Sequence, residues 1–101
     1  EFLFMQKHNT LIHNYNELDC FKNKKLFITV DLDVLDPSIM SGTGTPEPGG
    51  MSFNDLTGWF KYLSDFDIVG ADVVELAPDY DNSGVSTAVA TKVIRELLMI
   101  M

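Results

Sequence analysis

The chain has 101 residues, 7 of them basic and 15 acidic, and a formal net charge of −8. A chain of this length forms one domain or less and buries a modest core. The acidic excess argues against binding to nucleic acid or to an anionic membrane surface, and no run of 18 apolar residues is present. A single cysteine, Cys20, excludes an internal disulfide and predicts a reducing compartment, which we expect to be the cytoplasm.

The first 25 residues give weak signals. Residues 1–7 are compatible with the end of a helix, 10–13 with a short strand and 15–21 with a short helix. His8 and His13 are candidates because histidine is a common metal ligand, but no acidic residue flanks either of them. We therefore predict that both are exposed or structural. The chain lacks an initiator methionine and the basic flank of a signal peptide, so we expect it to be part of a longer protein.

Two aspartates mark the end of the first convincing strand. An apolar, β-branched run predicts a strand over 26–33 that is buried on both faces. Because side chains alternate along a strand, Asp31 and Asp33 should point the same way, with Cα atoms roughly 6.6 Å apart. Paired carboxylates at a buried strand end need neutralising, and hard oxygen ligands suit Mg²⁺ or Mn²⁺. The sequence thus predicts a divalent metal site here.

The next segment, 41–50, reads SGTGTPEPGG and has the glycine and proline content of a loop that walls a site. A helix follows, because Ser52 and Asp55 form a capping-box pattern. We expect this helix to end near 64–65. Its predicted core face is Phe53, Leu56, Phe60 and Leu63, with Trp59 packing beside it.

A second buried strand is predicted over 67–76, with Glu75 at its carboxyl end. Asp72 lies in mid-strand, where we expect a structural role with a backbone or basic partner. Gly70 suggests close approach to a neighbouring element.

The last predicted helix begins at a serine cap, Ser83 or Ser86, and runs to about Leu98. Lys92 and Glu96 should pair on its surface. Its predicted core residues are Val85, Val89, Val93 and Leu97. We expect the apolar tail, 97–101, to be buried against a sheet or a subunit.

The order of these elements is that of an α/β fold with neighbouring parallel strands joined by a right-handed crossover. Both chemically rich loops follow strands and therefore fall at the same carboxyl edge of the sheet, where α/β folds bind ligands. Asp31, Asp33, Thr45 and Glu75 are accordingly expected to converge.

The motifs VDLD at 30–33, LDP at 35–37, GTGTP at 42–46 and the glycine pair at 49–50 together resemble the ureohydrolases: arginases, agmatinases and formimidoylglutamases. The resemblance covers residue 26 to the C-terminus. One departure is Ser41, where the family usually has proline. The resemblance implies the C-terminal portion of a three-layer α/β/α fold with a mainly parallel, arginase-like sheet. Residues 1–101 would then be the C-terminal fragment of a single ureohydrolase domain.

The resemblance also implies roles for individual residues. Asp31 would bridge two Mn²⁺ ions and Asp33 would bind one of them, while Glu75 would bind the substrate guanidinium and Thr45 would line its pocket. The family's other ligands, two histidines and two aspartates, and its proton-shuttling histidine come from earlier sequence. No HxD or DxHxD stretch occurs here, so no catalytic residue is assigned within this chain.

Residues 45–50 and 74–81 look more like agmatinases than arginases. The resemblance therefore implies Mn-dependent hydrolysis of agmatine to putrescine and urea by a metal-bridging hydroxide, in a homo-oligomer, trimeric or hexameric. Arginase, guanidinobutyrase and formimidoylglutamase activities remain alternatives, as does a non-catalytic metal-binding or assembly homologue. A calcium-binding structural module also stays open, because 31–36 has the D-x-D-x-x-D start of a loop site, but its EF-hand form is rejected because Asp36 and Gly42 stand at the sixth and twelfth positions.

Overall fold

The structure is a computed structural model that describes residues 2–8 and 10–101. Glu1, the first residue of the predicted helix end over 1–7, lies outside them. The described residues form three α-helices and two strands: α1 (Phe2–Lys7), β1 (Lys25–Asp31), α2 (Phe53–Leu63), β2 (Asp67–Val74) and α3 (Val85–Ile100). Short 3-10 helices cover Tyr15–Phe21, Leu32–Val34 and Pro78–Tyr80. The predicted strand over 10–13 was wrong, since these residues have no regular structure.

The two strands pair in parallel, with α2 in the connection between them. Their register is irregular between Leu26 and Phe27 and regular from there to the pair formed by Asp31 and Val74. This confirms the predicted α/β arrangement of neighbouring parallel strands. Both strands consequently end at the same edge of the sheet.

One face of this sheet carries the core. Ile28, Ala71 and Val73 pack there against a buried cluster that includes residues of both α2 and α3. The fully buried apolar side chains at its centre are Leu32, Leu35, Met40 and Val93. Burying this apolar area is the main force that holds the helices on the strands.

The opposite face is open among the described residues, so the prediction of burial on both faces was wrong for this chain. Phe27 is 61% exposed there and lies beside Gly70. A Cβ at Gly70 would stand 2.8 Å from the Phe27 ring. The close approach predicted at Gly70 is therefore confirmed.

Helix α2 begins as its sequence pattern predicted. The Ser52 hydroxyl accepts the Asp55 backbone N–H at 3.1 Å, and the Asp55 carboxylate accepts the Ser52 N–H at 3.0 Å. Leu56 and Phe60 are buried, and Ser64 follows the last helical residue. Trp59 packs edge-on against Tyr15, with ring centroids 4.4 Å apart, as expected of a packing residue.

Helix α3 begins differently from the prediction. Its N-cap is Gly84, in the left-handed region at φ 77°, and neither Ser83 nor Ser86 holds that position. The reason is that Asp81 accepts the Ser86 N–H at 2.7 Å, while the Ser83 hydroxyl accepts the Val85 N–H at 3.1 Å. Side chains from the preceding turn thus satisfy the first helical donors.

The buried side of α3 agrees with the prediction at Val93 and Leu97 and differs from it near the start of the helix. It consists of Ser86, Ala90, Val93 and Leu97. Val85, predicted in the core, is 50% exposed. Lys92 and Glu96 form the predicted pair at 3.4 Å. Of the apolar tail, Leu97 is buried but Leu98 and Met99 are exposed.

No helix in the described part of the chain has the length and apolarity to cross a membrane.

Candidate active site

The two motif aspartates lie at the carboxyl end of β1, but not on one strand face. The strand ends at Asp31, and Asp33 belongs to the following 3-10 turn, so the predicted strand over 26–33 was two residues too long. Asp31 Oδ1 accepts the Asp33 backbone N–H at 3.1 Å. This local bond replaces the next step of strand pairing and bends the chain.

Thr45 reaches back to the second aspartate. Its hydroxyl donates a 2.7 Å hydrogen bond to Asp33 Oδ2, which joins the glycine-rich loop to the strand end. Oδ2 of Asp31 and Oδ1 of Asp33 accept no hydrogen bond from the residues that the structure describes. Each carboxylate therefore keeps one oxygen free for a cation.

These oxygens have the chemistry of ligands for a hard divalent ion. They do not complete a site: the described residues contain no group of three or more histidine, cysteine or acidic side chains able to hold a metal. His8 and His13 are exposed, as predicted, and His8 packs on the Phe4 ring at a centroid distance of 4.3 Å. Asp31 and Asp33 thus fit a divalent metal as two ligands of a larger set.

Asp36 anchors the loop that carries Thr45. Its carboxylate accepts the Gly49 N–H at 2.8 Å and the Ser38 N–H at 2.9 Å. Hydrogen bonds from the Ser38 side chain and backbone, followed by the Gly49 N–H, lower the pKa of Asp36 to about 2. A Cβ at Gly50 would stand 2.5 Å from the Asp36 backbone nitrogen, so the loop returns too closely for a side chain there.

Glu75 follows β2 directly and takes an uncommon backbone conformation. Its φ is 67°, and it is the only residue other than glycine with a positive φ in the described part of the chain. Val74 pairs with Asp31, so Glu75 is the first residue past that pair. The exposed Glu75 side chain therefore begins at the edge of the sheet that carries Asp31.

Asp72 does not behave as predicted. It is exposed on the open face of the sheet, opposite Thr29. Within residues 2–8 and 10–101 its side chain has no hydrogen bond or ion pair, so the expected backbone or basic partner is not found there. Its surroundings give no account of an acid at this position.

A buried connection joins the loops after the two strands. The Gly42 N–H donates to Ser86 Oγ at 2.8 Å, and the Ala77 N–H donates to the Gly42 carbonyl at 2.8 Å. Asp81 holds Ser86 in turn, and hydrogen bonds from the Ser83 side chain, then from Ser86, lower the pKa of Asp81 far below its ordinary value. Nearby, the Thr43 hydroxyl is buried without a partner among the described residues.

Sequence reasoning assigned no site role to Asp36, Asp81 or Ser86. For Asp36 a signal existed, since an aspartate before proline within a motif is a turn residue whose carboxylate often binds backbone N–H groups. Ser86 was considered only as a helix cap. Its contact with Gly42 joins residues 44 positions apart, which no local pattern reveals.

Comparison with known proteins gives a consistent assignment. The arginase family matches residues 6–100. An agmatinase from Halalkalibacterium halodurans is 42% identical over 78 residues, which are 75% of this chain and 27% of that protein. The chain therefore spans about a quarter of the length of this curated relative.

Two solved structures show the same fold. Proclavaminate amidinohydrolase from Streptomyces clavuligerus aligns with a TM-score of 0.81 and 30% identity, over 96% of this chain and 37% of that one. Arginase from Medicago truncatula aligns with a TM-score of 0.71 and 33% identity, over 92% and 33%. The described elements thus correspond to part of an arginase-like α/β fold.

Proposed function

The chain belongs to the arginase family, and from this premise we propose that the complete protein is a metal-dependent ureohydrolase that converts agmatine to putrescine and urea. Residues 1–101 would form the C-terminal part of its single catalytic domain. The enzyme would be a homo-oligomer with a binuclear Mn²⁺ site, and its remaining ligands would come from outside this chain.

The observation that carries the proposal is the hydrogen bond from Thr45 to Asp33 Oδ2, at a strand end shared with Glu75. This bond joins a loop hydroxyl to the end of β1, where both aspartates lie, and the pairing of Asp31 with Val74 places Glu75 at the same edge of the sheet. In α/β folds ligands bind at this edge. The arrangement supports a site that holds a cation and a cationic substrate side by side.

Each side chain would have a distinct task in hydrolysis. Asp31 and Asp33 would hold the metal, which when bound supplies Lewis-acid activation of water near neutral pH. Thr45 donates to Asp33 Oδ2, which leaves Oδ1 as the Asp33 oxygen that would bind the metal. Glu75 would accept two N–H groups of the guanidinium and thereby aim its carbon at the nucleophile.

The choice of agmatine rests on similarity. The relative from Halalkalibacterium halodurans and several others at 42–43% identity are named agmatinases. Proclavaminate amidinohydrolase, at 39% identity over 75 residues, shows that another amidino substrate occurs among relatives at nearly the same distance. We therefore propose a linear guanidino compound as the substrate class, and agmatine as the member of that class that these names favour.

The test is urea release by the full-length protein. The enzyme would be stripped of metal, reloaded with Mn²⁺, Mg²⁺ or Zn²⁺, and supplied with agmatine, arginine or 4-guanidinobutyrate. The proposal expects the highest kcat/KM with agmatine and Mn²⁺. Faster turnover of another guanidino compound would correct the substrate, and no urea from any of the three would overturn the function.

A further inference from the structure

The backbone N–H and carbonyl of Gly42 are both held by groups from the second half of the chain. Its N–H donates to Ser86 Oγ at 2.8 Å, and its carbonyl accepts the Ala77 N–H at 2.8 Å. Ser86 belongs to the first turn of α3, whereas Ala77 lies in the loop that follows β2. The backbone of this one residue thus ties the loop after β1 to two elements beyond β2.

The connection is buried and closely fitted. Ser86 is 0% exposed, and Gly42 is also buried. A Cβ at Gly42 would stand 2.7 Å from the Ser86 Cβ and 3.1 Å from the Asp81 Cβ. Asp81 fixes the start of α3 by accepting the Ser86 N–H at 2.7 Å. Because a buried N–H needs an acceptor, Ser86 Oγ is the group that allows the Gly42 peptide to lie there.

The residues on either side of this connection are those of the proposed site. Gly42 precedes Thr45 by three residues, and Ala77 follows Glu75 by two. Glu75 has a positive φ, a conformation that persists only when its surroundings hold it. The bond from Ala77 to the Gly42 carbonyl is one such restraint.

We propose that Ser86 is a positioning residue that sets the guanidinium-binding Glu75 relative to the metal-binding Asp31 and Asp33. It acts through the Gly42 peptide and touches neither metal nor substrate. The proposal rests on the ureohydrolase function, since only a reaction between groups on the two loops makes their relative position matter. A shift on the order of 1 Å between reacting groups lowers rates about 100-fold.

The experiment compares Ser86→Ala, Ser86→Thr and Thr87→Ala in the full-length protein. Ser86→Ala removes the acceptor, Ser86→Thr keeps it, and Thr87→Ala removes a hydroxyl from the exposed side of the same helix turn. Three kinds of measurement are made: steady-state kinetics that give kcat and KM for agmatine, metal analysis, and amide hydrogen exchange in peptides covering 41–45 and 75–79. Exchange reports the connection whether or not the protein hydrolyses anything.

For Ser86→Ala we expect full metal content, roughly 10-fold or greater loss of kcat/KM, mostly in kcat, and faster exchange in both peptides. Ser86→Thr should restore most of the activity, and Thr87→Ala should match wild type. If Ser86→Thr does not fold, the contrast of Ser86→Ala with Thr87→Ala decides. Unchanged exchange in Ser86→Ala, or a lower melting temperature with wild-type kcat and KM, overturns the proposal. If wild type releases no urea, the proposed function fails, whereas faster exchange would still support the connection.

Discussion

The Thr45 hydroxyl lies 2.7 Å from Asp33 Oδ2, across a loop of 12 positions. In the proposed enzyme this bond fixes the orientation of a metal-binding carboxylate. Thr45→Val keeps the side-chain shape but removes the donor. Hydrogen bonds to charged groups contribute about 1.5–3 kcal/mol, so we expect a roughly 10- to 150-fold loss of kcat/KM.

Steady-state kinetics on agmatine would measure this loss in the full-length protein. Thr45→Ser is the matched control, because it retains the hydroxyl and should stay within a few-fold of wild type. Wild-type kinetics in Thr45→Val would show that the Thr45–Asp33 hydrogen bond does not contribute to activity.

The two aspartates should differ in how their loss affects the metal. Asp31→Asn and Asp33→Asn are each expected to abolish most activity through metal loss, and Asp31→Asn should be the more severe. A bridging carboxylate serves two ions, and a neutral amide cannot replace it. Elemental analysis of the purified full-length variants measures the metal. Two full equivalents of Mn in Asp31→Asn would disprove the bridging role.

Glu75 separates substrate binding from metal binding. Glu75→Gln keeps the shape and should keep the metal, but it removes the charge that orients a guanidinium. Loss of such a pair costs about 2–5 kcal/mol, or roughly 30-fold to several thousand-fold in kcat/KM. Asp72→Asn is a matched control, since it neutralises an exposed acid on β2, three residues before Glu75.

Kinetics and metal content would be measured on the same preparations. Asp72→Asn should behave as wild type. Near-normal turnover in Glu75→Gln, with a lowered melting temperature, would make Glu75 structural.

The 101-residue chain by itself should bind Mn²⁺ weakly and release no urea from agmatine. The described residues supply two carboxylates and no cluster of three or more ligands, whereas a two-metal site needs more. Titration calorimetry on the isolated chain checks the affinity. Sub-micromolar binding of Mn²⁺ would contradict this expectation.

The hydrogen bonds that Asp36 accepts should make the stability of the protein sensitive to acid. Its pKa falls from 3.8 to about 2 in the folded chain, because Ser38 and Gly49 donate hydrogen bonds to the carboxylate. A carboxyl group whose pKa is lower in the folded than in the unfolded chain stabilises the fold at pH values above the unfolded-state pKa. For Asp36 this contribution disappears as the pH falls from about 4 to 2. The free energy of unfolding of full-length wild type and Asp36→Asn is measured between pH 5 and 2. The difference between the two proteins should become smaller as the pH falls. A pH-independent difference would assign the effect to shape alone.

The elements with local signals were predictable. The capping box of Ser52 and Asp55 fixed the start of α2 correctly, and two apolar runs identified neighbouring parallel strands. The end of β1 was predicted two residues too late. Asp31 caps the 3-10 turn that follows it, but the alternating pattern of 30–33 is equally compatible with a continuing strand. Ser86 was misassigned because its partner, Gly42, comes from a distant loop.

For the candidate site, the sequence motifs proposed a set of residues but not their geometry. The motifs pointed to Asp31, Asp33, Thr45 and Glu75, and the structure joins Thr45 to Asp33 and aligns Glu75 beyond the Asp31 pair. Their roles toward metal and substrate stay predictions. The anchors that hold the loops, Asp36 and Asp81, depend on turn hydrogen bonds that sequence spacing alone does not reveal.

The positive φ of Glu75 favours glycine at this position, whereas the proposed function requires an acid there. Holding a side chain other than glycine in the left-handed region costs about 1–2 kcal/mol. Glycine at this position would relax the backbone, so engineering guided by thermal tolerance alone would favour Glu75→Gly while discarding the only acid at that point of the chain. A library ranked by melting temperature would then enrich more stable proteins that lack the acid proposed to bind a cationic substrate.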